Sequence, residues 1–214
     1  MSLILAVTVA TIIVLVQMLR KNKPGRDAKP VLVKRYVHPG HAWMKVTQDG
    51  DVVIGIDDFS QSVIGTVDAV ELPHMLKKVR QGEIGWKVKH GERVVPMRSP
   101  VSGRVVEKNE MVQNNPSLIN SSPYGDGWLF RVRPSKLSIQ LSNLFSGHAA
   151  TQWQDIQRSE LARLFSGTPA LMFQDGGILL HDLADTCSDR EWNEIARQFF
   201  QVEIDQIQND HKRS

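Results

Sequence analysis

Three hydrophobicity patterns follow one another along the 214-residue chain. The first is a run without charge, "LILAVTVATIIVLVQML" at Leu3–Leu19, apolar on every side of a helix. With Met1 and Ser2 it reaches the ~20 residues that a bilayer-spanning helix needs. The second pattern runs from Val31 to about Pro134. It consists of short, valine-rich, partly alternating segments: "AWMKVT", "DVVIGID", "GTVDAVEL", "EIGWKVK", "RVVPMRS", "GRVVEKN" and "WLFRVR". Asp-Gly, Gly and Pro turns separate them, the signature of many short β-strands in a sandwich or barrel. One helix is expected among them at "DDFSQSVIG", with Asp57 or Asp58 as its N-cap.

In the third pattern the period lengthens to that of a helix. "SIQLSNLF" and "WQDIQRSELARLFSG" read as helices, the second with Ile156, Leu161, Leu164 and Phe165 on one face and Gly167 at its end. "PALMFQDGGILLHDL" reads as a hairpin turning at Asp175-Gly176-Gly177. "SDREWNEIARQFFQVEI" opens on a Ser188/Glu191 capping box and places Trp192, Ile195, Phe199 and Val202 on an apolar face. The expected organisation is a mainly β domain at 33–135, preceded by a transmembrane anchor (1–20) and a basic linker (21–32). A small α+β domain of helix-hairpin-helix form (136–206) and a polar tail (207–214) follow it.

Charge gives the anchor a direction. Arg20, Lys21, Lys23 and Arg26 lie just after the apolar run and no basic residue precedes it. A secretory signal would show the reverse order and a small-residue cleavage site. The positive-inside rule then predicts a single-pass protein of the inner (cytoplasmic) membrane, its remaining segments facing the cytoplasm, with the basic cluster against the bilayer. Elsewhere the composition is ordinary: 41% hydrophobic, 23% charged and a net charge of +3. The single cysteine, Cys187, excludes an internal disulfide framework and a Cys-based metal site. His38, His41, His74 and His90 lack the carboxylate or cysteine pattern that would complete a metal centre, so none is expected. Lys77, Lys78 and Arg80 have no interleaved aromatics and read as a solvated face, so nucleic acid is not an expected partner. No phosphate loop or nucleophile elbow is present, and no enzymatic activity is expected.

The segment "GEIGWKVKHGERVVPMRSPVSG", Gly82–Gly103, reads as a strand, a tight turn around His90-Gly91, and a second strand. Its context is "HAW" at His41–Trp43, then "VIGIDDFSQSVIGTVDAVELP", then "SPVSGRVVEKNEMVQNNPSLINSSPYGDGWLFRVRPS". These motifs, in this order across His41–Arg133, resemble the H-protein of the glycine cleavage system. The resemblance implies a lipoyl-type barrel-sandwich hybrid. It also implies a lipoate carried on a lysine eight residues before the proline of Pro-Val-Ser-Gly. Counting back from Pro100 reaches Glu92 instead, preceded by Lys89-His90-Gly91. A carboxylate cannot form the amide that attaches lipoate.

The expectation is therefore a non-catalytic accessory or scaffold subunit without a cofactor, held at a membrane and docking on other subunits of a membrane-associated complex. Lys89, His90, Gly91 and Glu92 form its hairpin tip. The alternative is a tethered carrier of a lipoyl, acyl or aminomethyl group, with lipoate on Lys89.

Overall fold

A computed structural model describes residues 34–165 and 183–202. Among these residues ten strands carry the β region: β1 (Arg35–Val37), β2 (Ala42–Val46), β3 (Val52–Ile56), β4 (Ala69–Glu71), β5 (Lys78–Val79), β6 (Ile84–His90), β7 (Arg93–Arg98), β8 (Gly103–Lys108), β9 (Phe130–Pro134) and β10 (Phe145–Ser146). Short helices interrupt and follow them: α1 (Asp58–Ile64), α2 (Glu110–Asn114), α3 (Leu118–Ser121), α4 (Leu137–Gln140), α5 (His148–Leu164), α6 (Leu183–Thr186) and α7 (Asp189–Phe200). Residues 34–134 are mainly β, as their short valine-rich segments imply.

Among the described residues two antiparallel sheets form. One has seven strands in the order β10-β1-β2-β3-β9-β8-β5, the other three in the order β4-β6-β7. The period of two explains the layer between them. Val52, Ile54 and Ile56 of β3 and Phe130 and Val132 of β9 are buried, as are Trp86 and Val88 of β6 and Val95 and Met97 of β7. The sheets meet where the Trp86 and Phe130 rings lie edge to face, 5.3 Å apart. Each such fully buried large side chain contributes about 1.5–3 kcal/mol. Gly103, at the start of β8, runs so close to β9 that a Cβ there would lie 2.2 Å from the Arg133 carbonyl oxygen.

Asp57 caps α1, its Oδ1 accepting the Ser60 N–H at 2.9 Å. Ser188 and Glu191 form the expected capping box of α7. Trp192, Ile195, Phe199 and Val202 are all buried, so the apolar face of α7 is real. It completes the β core: Phe199 lies 5.2 Å from Phe59 of α1, ring to ring.

Two local expectations change. In α5, Leu161 and Phe165 are buried but Ile156 is 56% and Leu164 38% exposed. The inward seam runs instead through the buried Ala150 and Leu161 and the half-buried Trp153, whose ring stacks on Phe145 and tilts against His41. "SIQLSNLF" is not one helix. It makes α4, one 3-10 turn and then β10, because Phe145 and Ser146 pair with Val37 and Tyr36 and extend the large sheet. Tertiary pairing overrides local periodicity there. The anchor, the linker with Arg20, Lys21, Lys23 and Arg26, the Asp175–Gly177 hairpin and the polar tail lie outside the described residues. Among the described residues no helix is long and apolar enough to cross a membrane.

Candidate functional site: the β6–β7 hairpin tip

β6 and β7 pair through Lys87↔Pro96, Val88↔Val95, Lys89↔Val94 and His90↔Arg93. That register leaves Gly91 and Glu92 as a two-residue turn, one position later than the sequence suggests. His90 is the last paired residue of β6. Gly91 has φ +54, the left-handed conformation that a primed hairpin turn asks of its first central residue. Glu92 stands exposed at the turn. Alternation then sorts the flanking residues: Trp86, Val88 and His90 are buried on the core side, while Lys87 and Lys89 lie on the other.

Both lysines reach Glu71 of β4. Lys89 Nζ lies 2.5 Å from Glu71 Oε1, and Lys87 Nζ lies 4.0 Å from Oε2. The Lys89 side chain is 39% exposed and that of Lys87 27%. An ion pair this open to water is worth about 0.2–1 kcal/mol and does not lock the amine.

The loop before β4 pins the tip. The Asp68 N–H donates to the Lys89 carbonyl at 2.9 Å, and the Gly91 N–H donates to Asp68 Oδ2 at 2.7 Å. The core side of the tip is held from much further along the chain. His90 Nδ1 meets the Thr66 carbonyl, and His90 Nε2 lies 2.8 Å from Asp185 Oδ1 of α6. Arg93 Nη2 donates to the Cys187 carbonyl at 2.6 Å, and its guanidinium sits 4.8 Å from the Trp192 ring centroid. Asp185, Cys187 and Trp192 were not sequence candidates for this site. They lie some ninety residues downstream, and no local pattern links them to the hairpin.

His41 and His38 serve the scaffold, while His74 stands exposed. His41 Nδ1 lies 3.1 Å from Asp57 Oδ2, both side chains fully buried, with the His41 ring stacked 4.2 Å from Phe59. One carboxylate thus caps a helix and holds a histidine. His38 Nδ1 accepts the Gly40 N–H at 2.9 Å. Burial, then the Arg98 charge and His41, lower the His38 pKa to about 4. Among the described residues no group of three or more His, Cys, Asp or Glu gathers as a metal site.

The family model for the glycine cleavage H-protein matches residues 34–156, more than half of the chain. The chain belongs to the glycine cleavage H-protein family. A probable glycine cleavage system H protein of Pyrococcus abyssi is 38% identical over 109 residues, covering 51% of this chain and 81% of that protein. The glycine cleavage system H protein of Saccharophagus degradans is 42% identical over 97 residues, covering 45% and 75%. The crystal structure of a glycine cleavage system H protein from Mycobacterium marinum superposes with a TM-score of 0.50 at 30% identity. It covers 55% of this chain and 94% of that one. α6 and α7 lie beyond the segment that matches the family.

Membership corrects two expectations. The expected absence of a cofactor does not stand, because the H-protein family carries lipoate as a covalently attached group. H-proteins are carriers without catalysis of their own. The expected inner-membrane, single-pass localisation does not stand either. The matched family is that of the glycine cleavage H-proteins, and no described helix is long and apolar enough to span a bilayer.

Proposed function

We propose that this H-protein family member is a carrier of a lipoyl group in a glycine-cleavage type of system, with Lys89 as its attachment point. One observation carries the choice of lysine. Lys89 is the amine nearest the turn, it faces away from the core, and α6–α7 engage the opposite side of the tip. Glu92, at the turn itself, offers only a carboxylate. Lys87 is two residues further from the turn and less exposed. The chemistry asks little else of the protein. An activated lipoyl carboxyl is transferred to Nζ, the amine loses one proton, and the activating group leaves.

On this reading the residues Lys89, His90, Gly91 and Glu92 are the part that partner proteins of the same system handle. The tight Gly91-Glu92 turn keeps the attachment point within two residues of the hairpin end, from which a flexible arm extends. Co-expression of the full chain with a lipoylating enzyme tests the reading by intact mass. The expected mass is that of the chain plus one lipoyl amide, retained in Lys87→Arg and lost in Lys89→Arg. An unmodified mass would leave the hairpin as a docking surface alone.

A further inference from the structure

The contact between His90 and Asp185 has a chemistry of its own. Both partners of the His90 ring are acceptors: a backbone carbonyl, Thr66, at Nδ1 and a carboxylate, Asp185, at Nε2. A neutral imidazole carries one N–H and can satisfy only one of them, whereas an imidazolium donates to both. The arrangement is therefore complete only with a protonated ring. Burial opposes that charge, but the Thr66 carbonyl, the Asp185 carboxylate and Asp68 outweigh it, and the pKa of His90 is raised above its ordinary value.

We propose that His90 and Asp185 form a pH-responsive clasp through which α6–α7 brace the hairpin tip from its core side. The tip is held while His90 is protonated and eased as the ring loses its proton. The other groups facing the ring agree with this. Asp68 Oδ2 lies 3.9 Å from Nδ1 and favours the charged form. Arg93, the cross-strand neighbour of His90, is occupied by the Cys187 carbonyl, Asp189 at 3.7 Å and the Trp192 ring. Burial raises the pKa of the Cys187 thiol, so it stays neutral while His90 titrates. Lys89 lies on the opposite face of β6. The clasp thus joins the carrier hairpin to two helices outside the segment shared with the family. It does not depend on which lysine is modified.

The sign follows from linkage. A histidine with a raised pKa stabilises its folded contacts fully below its unfolded value, near 6.5, and loses that stabilisation as pH climbs through the raised value. The test uses the unmodified full-length chain. His90 ring resonances are titrated by NMR. Amide exchange of Leu183–Thr186 and Gly91, corrected for intrinsic rates, is followed from pH 5.5 to 9. In the native chain His90 should titrate above the ordinary histidine value, and α6 should lose protection with the same midpoint. Asp185→Ala should lower that midpoint and remove the pH dependence of α6. In Asp185→Asn, whose amide can donate to a neutral ring, α6 should stay protected as pH rises. An unchanged His90 midpoint in Asp185→Ala overturns the clasp. So does α6 protection that ignores pH, or loss of protection in β3 and β9 in step with α6.

Discussion

Phe199→Ala probes whether the C-terminal helix is part of the β core. Phe199 is 2% exposed and its ring lies 5.2 Å from that of Phe59, which is itself fully buried and stacked on His41. Neighbours on α1, a short helix bounded by Asp57 and Gly65, have little freedom to collapse into the space left behind. Truncation therefore costs the transfer term plus most of a cavity, about 3–5 kcal/mol. With a urea slope of about 2 kcal/mol per molar, the midpoint should fall by about 1.5–2.5 M. Far-UV circular dichroism reports the helices, and tryptophan fluorescence reports the β core through the buried Trp43 and Trp86 and α7 through the buried Trp192. Both transitions should move together and stay coincident. A loss below about 1 kcal/mol, or a shift in the helical signal alone, would show α7 to be an independent appendage and not part of the β core.

Gly103→Ala should destabilise the fold by about 3 kcal/mol or more in the same urea assay, because the new Cβ would sit 2.2 Å from backbone rather than from a yielding side chain. His38 gives an acid limb to the stability profile. Its pKa falls from 6.5 unfolded to about 4 folded, so its contribution is present above pH 6.5 and is lost as pH drops toward 4. The loss reaches about 3 kcal/mol at most, and His38→Asn should flatten that limb of the urea midpoint against pH. His90 acts in the opposite direction, and loss of its contribution at alkaline pH should disappear in Asp185→Ala.

Much of the β region is legible in the sequence because its signals are local. Short valine-rich runs bounded by turn residues mark β2, β3, β6 and β7, and a period of two marks β6; Asp57 announces α1; Ser188 and Glu191 announce α7. The turn is off by one because "HG" and "GE" are both acceptable turn dipeptides. The choice between them rests on cross-strand partners, with His90 opposite Arg93. Ile156 and Leu164 fit the helical period of α5 yet face solvent, because period alone cannot say how wide a neighbour will cover. The Asp185 and Arg93 contacts are invisible for a related reason: they join segments whose proximity only the assembled core creates. The missing acceptor at Glu92 suggested a protein without cofactor, an inference from one position that family membership overrules.

The most direct measurement is the site of modification itself. Trypsin does not cut after an acylated lysine, so the peptide Val88–Arg93, "VKHGER", should survive digestion of the lipoylated chain. Its fragment ions should place the added mass on Lys89. If that peptide is instead cleaved after Lys89 and bears no added mass, while the intact chain is either unmodified or modified elsewhere, Lys89 is not the carrier residue.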